Sequence, residues 1–169
     1  MCGLAGMLLP APVASAEVLQ AQVLAMGEAL HHRGPDDGGS WVDAGAGIAL
    51  AHRRLSILDL SPLGHQPMAS SDGRYVMAYN GEVYNFAALR AELEPLGHAF
   101  RGHSDTEVLL AAILQWGMED TLQRCNGMFA IALWDRQEQC LWLARDRVGK
   151  KPLYYGCLLY TSPSPRDVE

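Results

Sequence analysis

Apolar positions recur at helical spacing in three stretches of the chain. Leu19, Val23, Met26 and Leu30 follow Ser15, a residue suited to the N-cap, and Glu17 in the first turn, so a helix is expected that stops before Arg33-Gly34-Pro35. A second runs from an Asn85 cap through Leu89 and Leu93 to Gly97, whose missing Cβ suits the left-handed residue after a helix end. Ser104-Asp105-Thr106-Glu107 has the form of a capping box, and Leu109, Leu110, Ile113 and Leu114 follow before Gly117. Strands are expected at 3–9, 48–52, 74–79, 128–134 and 140–144, the last two joined by the hairpin connection Asp135-Arg136-Gln137-Glu138-Gln139. Strands that succeed one another without a helical crossover pair antiparallel. Helices alternating with such groups predict a layered α+β domain, not a doubly wound one.

Composition narrows the picture without pointing to a reaction. The 169 residues, 49% of them hydrophobic, suffice for one domain with a buried core. A net charge of -6 gives neither a basic stripe for nucleic acid nor a polybasic segment for a membrane surface. No apolar run approaches the roughly 20 residues of a membrane span, and no cationic segment precedes the first apolar stretch, so a cytoplasmic protein is expected. Cys2, Cys125, Cys140 and Cys157 lack C-x-x-C spacing, which argues against a zinc site or a disulfide frame and makes Cys125 and Cys140 small core residues. Tyr160 to Asp167 is a Pro/Ser stretch without periodicity or caps. The last dozen residues are therefore expected to lie outside the fold, as a linker or a sequence scar.

Cys2 is the first candidate for chemistry. Removal of Met1 would leave a thiol and a free amine on one residue, and an α-amine with a pKa of roughly 7.7–8 is partly unprotonated near neutrality and can take the thiol proton. The thiolate is the attacking species. The plain alternative is a short side chain that permits methionine removal. Arg33 to Gly39 reads as a surface turn. Arg54, in His52 to Asp59, offers a rigid fork for a carboxylate or an ordinary ion pair with Asp59. Asn80-Gly81-Glu82 follows a strand and supplies either an amide and an unobstructed backbone N–H for one oxyanion or a tight hairpin turn. Asp105 suits a helix N-terminus and equally a substrate ammonium. His31, His32, His65 and His103 have no metal-ligand spacing and receive no catalytic part.

Seven blocks in order carry a resemblance: MCGLAG at the start, HRGPDDGG at 32–39, AHRRLSILDLSPLGHQPM at 51–68, YNGEVYN at 79–85, HSDTEVLL at 103–110, GMFAIALWD at 127–135 and ARDRVGKKPLYYG at 144–156. Together they resemble the class II glutamine amidotransferase (glutaminase) domain of the glutamine-hydrolysing asparagine synthetases. The resemblance implies an N-terminal-nucleophile fold, a four-layer αββα sandwich with two antiparallel sheets, cut short after Gly156, where family strand residues are not supplied; an open sheet edge and weak stability would follow. It implies that Cys2 attacks the side-chain amide of glutamine, that Asn80 and Gly81 stabilise the oxyanion and that Arg54 clamps the α-carboxylate. Asp105 and the region of Glu82 would hold the α-ammonium, and the backbone of Leu55, Ser56, Ile57 and Leu58 would line the pocket.

The same resemblance implies a C-terminal synthetase domain that uses ATP and magnesium to amidate aspartate in asparagine biosynthesis. No serine- and glycine-rich phosphate loop of that kind occurs in these residues, so the segment by itself would at most be a glutaminase without a cofactor of its own. Two alternatives stand beside this expectation: an amidotransferase for another carboxylate, such as a sugar acid of surface-polysaccharide synthesis, and a non-catalytic regulatory domain of the same fold. Glutamine and the synthetase domain are the expected partners, and homo-oligomerisation is left open.

Overall fold

In the computed structural model, residues 2–9, 15–56 and 62–156 are described. Strand β1 (Gly3–Leu8) leads to helix α1 (Ala16–Ala29), then to β2 (Asp37–Asp43) and β3 (Ile48–Arg54). After the short β4 (Met68–Ala69) come β5 (Tyr75–Val83), the helices α2 (Phe86–Leu93), α3 (Asp105–Trp116) and α4 (Met118–Arg124), and the hairpin of β6 (Gly127–Asp135) and β7 (Cys140–Arg145). Two antiparallel sheets result, ordered β1-β3-β2 and β4-β5-β6-β7.

Side-chain alternation along the strands makes the layers. Ala49 and Ala51 of β3 pack on Leu19 and Val23 of α1. The other face of the same strand, Ile48 and Leu50, meets Val76, Ala132 and Trp134 of the second sheet. Tyr75, Met77, Phe129, Ile131 and Leu133 point the opposite way, against Leu89 and Leu93 of α2 and Leu109 and Ile113 of α3. The order is helix, sheet, sheet, helices, which is the αββα sandwich expected above.

Several local expectations are borne out by contacts. Ser15 Oγ accepts the Val18 N–H at the start of α1, and Gly97 after α2 and its 3-10 turn has a left-handed φ of 96°. Ser104 Oγ accepts the Glu107 N–H, but Glu107 does not reach back to complete a capping box; its carboxylate accepts the N–H groups of Arg101 and Gly102. Asn85 likewise makes no side-chain cap, because its amide bridges to Arg124 O and Asn126 N instead. Cys125 is buried, whereas Cys140 is exposed on β7 and is no core residue.

Two elements correct the sequence reading more substantially. Residues 37–39 do not end a surface turn; they begin β2, paired along its length with β3. Asn80-Gly81-Glu82 does not follow a strand or form a hairpin turn, since β5 continues through them to Val83 in register with β6. Among the described residues strand β7 is the outer strand of its sheet beyond β6, and Trp142 and Leu143 on it are exposed.

Candidate active site

The register of the first sheet brings Cys2 to Arg54. Gly3 stands opposite Arg53, so the residue before β1 lies beside the residues that leave β3. The Leu55 N–H donates to Cys2 Sγ at 3.4 Å and the thiol faces Leu55 O at 3.7 Å. Arg33 Nε donates to the Cys2 carbonyl at 3.3 Å, so backbone and sulfur are both held. Arg54 itself is buried at the end of β3. Its guanidinium lies against Gly64 so closely that a Cβ there would occupy the same space.

Strand β5 supplies the second wall. Phe129, opposite Gly81, donates its N–H to Asp146 Oδ2 and accepts the Asp146 N–H at its carbonyl, so the polar backbone groups of Gly81 point away from β6. They share that edge with Tyr79 and Val83, the next residues of the same alternation. The Tyr79 N–H is taken by Gln66 Oε1 at 2.7 Å and the Val83 N–H by Asp105 Oδ2 at 2.9 Å. Between these two occupied groups the Gly81 N–H faces the cavity. The Asn80 side chain alternates with Tyr79 and points toward the first sheet, the side on which Cys2 lies.

Asp105, the first residue of α3, is buried. Burial raises its carboxyl pKa, while hydrogen bonds from the Val83 N–H and the Tyr79 phenol work in the opposite direction. The phenol donates to Oδ2 at 2.8 Å, and burial together with the Asp105 charge holds its own pKa well above the ordinary tyrosine value. It therefore stays a donor.

Cys2, Arg54, Leu55, Asn80, Gly81, Glu82 and Asp105 all line one cavity of about 240 Å³. That is smaller than the roughly 300–1,000 Å³ of drug-sized sites and fits the scale of one amino acid. Ser56 is not in the lining and gives its N–H to Asp36 Oδ2 at 2.8 Å. Ile57 and Leu58 lie outside the described residues, as does Asp59, the alternative partner of Arg54. The sequence reading gave no part in the site to Gly64, Gln66, Tyr79, Ser104, Thr106, Met128, Lys150 and Lys151, which complete the lining. Their signal was membership of the recurring blocks, not local chemistry. Among the described residues no group of three or more His, Cys, Asp and Glu is placed to hold a metal ion, and no helix is long and apolar enough to cross a membrane.

An αββα sandwich whose first strand starts directly after a cysteine is the architecture of N-terminal-nucleophile amidotransferases. Residues 1–162 match the glutamine amidotransferase domain family, and the chain belongs to it. It is 40% identical over 155 residues to asparagine synthetase [glutamine-hydrolyzing] 1 of Bacillus subtilis (strain 168), a match covering 92% of this chain and 24% of that protein. The putative asparagine synthetase [glutamine-hydrolyzing] of Mycobacterium tuberculosis (strain ATCC 25618 / H37Rv) is 43% identical over 166 residues, covering 91% of this chain and 25% of the relative. Among solved structures, glutamine phosphoribosylpyrophosphate amidotransferase from B. subtilis complexed with ADP and GMP superposes with a TM-score of 0.49 at 25% identity, over 59% of this chain and 23% of that one. The chain thus spans about a quarter of the length of the relatives it matches. It is the glutamine amidotransferase domain of an asparagine synthetase-like protein.

Proposed function

We propose that the domain hydrolyses glutamine to glutamate and ammonia through a thioester on Cys2. The observation that carries this reading is the convergence of a half-buried thiol, a buried guanidinium, an edge N–H beside an asparagine amide and a buried carboxylate on one amino-acid-sized cavity. Glutamine has one carboxylate, one ammonium and one side-chain amide to match them. Arg54 takes the α-carboxylate as a bidentate partner. Asp105, with Glu82 beside it, takes the α-ammonium.

With Met1 removed, the free α-amine of Cys2 accepts the thiol proton and the sulfur attacks the amide carbon. The carbonyl oxygen becomes an oxyanion that accepts from the Asn80 amide and the Gly81 N–H. Collapse of the tetrahedral intermediate breaks the C–N bond, and the proton held by the α-amine passes to the leaving nitrogen, which departs as ammonia. Water then attacks the thioester, its proton going to the same amine, and rupture of the C–S bond releases glutamate and restores the thiol.

In this reading the ammonia serves a synthetase domain in the remainder of a longer chain, which would supply the ATP and magnesium chemistry that amidates aspartate. Kinship with the asparagine synthetases supports that acceptor. The test is glutamate release from glutamine by the full-length protein, with the mature terminus established by intact mass. Cys2→Ala is expected to reduce the rate by about 10³-fold or more. Equal rates, or an active protein that retains Met1, would remove Cys2 from the role.

A further inference from the structure

Tyr79 stands directly before the Asn80-Gly81 pair and is 2% exposed. Each of its polar groups engages a different part of the fold. The N–H donates to Gln66 Oε1 at 2.7 Å, and Gln66 continues through its Nε2 to Thr106 Oγ1 at 3.4 Å, in the first turn of α3. The carbonyl lies 2.9 Å from His52 Nε2, which must carry the proton because a carbonyl only accepts. His52 lies two residues before Arg54 on β3. The phenol donates to Asp105 at 2.8 Å. One residue of β5 is thus bonded to the strand of the carboxylate clamp, to the carboxylate of the ammonium site and, through Gln66, to the helix that bears it.

We propose that Tyr79 is a positioning residue: its phenol holds Asp105 as a charged acceptor for the substrate ammonium, while its backbone ties the Asn80-Gly81 strand to the strand of Arg54. The proposal rests on the glutaminase reading, in which Asp105 receives that ammonium. Other titratable groups surround Asp105. Glu82 on β5 and Cys125 after α4 lie near enough to influence it electrostatically, and Arg54, Lys150 and Lys151 line the same cavity. The bonds to the carboxylate come from Tyr79 and Val83 on β5 and from the backbone of Thr106. Removing the phenolic donor therefore disfavours the charged form and raises the Asp105 pKa. Less carboxylate is then present at mildly acidic pH, so the step that Asp105 contributes to the acid limb of kcat/KM, beside that of the Cys2 α-amine, moves to higher pH.

The experiment measures glutamate release by the full-length protein across the acid range. Tyr79→Phe should move the Asp105 step of the acid limb of kcat/KM upward by about one pH unit, the scale of one hydrogen bond to the charged form, and should raise KM by a larger factor than it lowers kcat. A merely structural role would lower activity without moving the limb. An active Tyr79→Phe enzyme with the wild-type limb overturns the proposal. Asp105→Asn provides a second route, because it keeps an acceptor for the phenol but removes the titrating group: the Asp105 step should vanish, leaving the step of the Cys2 α-amine, and the loss should fall mainly on KM. Persistence of both steps in Asp105→Asn overturns the proposal even if Tyr79→Phe fails to fold. Absence of glutamate release from the wild-type protein, in contrast, overturns the glutaminase reading on which the proposal stands.

Discussion

At the scale of single residues, Gly64 shows how a site depends on an atom that is missing. A Cβ at this position would meet Nη2 and Cζ of Arg54, a buried side chain that could yield only by shifting within the cavity it lines. Gly64→Ala should therefore displace the guanidinium and raise the KM for glutamine by about 10-fold or more, with kcat less affected, since misplacing a clamp by an ångström has effects of up to about 10². Steady-state kinetics at saturating and limiting glutamine checks the split. The candidate residues were legible as candidates, because the chemistry open to Cys2, Arg54, Asn80, Gly81 and Asp105 can be stated from the side chain and its neighbours, and the resemblance chose among the alternatives. Gly64, Gln66 and Tyr79 were quoted only as parts of blocks. Their roles arise from contacts across 10 to 40 residues of chain, as in the Gln66 bonds to Tyr79 and Thr106, and no local pattern encodes these.

At the scale of elements, the turn after β7 is organised by one carboxylate. Asp146 is buried and accepts the N–H groups of Phe129, Val148, Lys150 and Lys151, clipping this turn onto β6 opposite Gly81 and bringing both lysines to the cavity. Asp146→Ala leaves several of these donors without an acceptor and should destabilise the protein by about 2–4 kcal/mol in denaturant titration. A change within experimental error would show that water replaces the carboxylate. The elements missed in the sequence have related explanations. Strand β2 begins with Asp-Gly-Gly-Ser, residues of turn chemistry, and is a strand because β3 offers it a complete ladder. Helix α4 has seven residues, too few for a periodic signal, and the Arg147 guanidinium donates to the carbonyls of Leu122, Gln123 and Cys125 at its C-terminal end.

For the molecule as a whole, His52 is an acid-sensitive pin between the two sheets. Burial lowers its pKa from 6.5 to about 4, against the opposing pull of the Tyr79 carbonyl, and Nδ1 has no hydrogen-bond partner among the described residues. A folded-state pKa below the unfolded value means that protonation favours the unfolded chain. The contribution of this neutral imidazole is complete above about pH 6.5 and is lost progressively down to about pH 4, by roughly 3 kcal/mol. Denaturation midpoints compared at neutral and acid pH should fall accordingly. In His52→Gln, which keeps a donor for Tyr79 and cannot titrate, the fall over this window should be smaller; an equal fall would place the acid sensitivity elsewhere.

By itself the sequence determined the main helices, the strands with strong β composition, the α+β class and an inventory of candidate residues, since these follow from periodicity, capping and side-chain chemistry along a short stretch of chain. The resemblance between blocks added the αββα order of layers. Tertiary structure alone decided that Asn80-Gly81 is an edge of β5 and not a turn, because only the pairing of Phe129 with Asp146 turns the Gly81 N–H outward. It also decided which buried polar groups join the walls of the cavity. Burial makes an unpaired donor or acceptor costly, so these partners are dictated by three-dimensional proximity, which no spacing in the chain records.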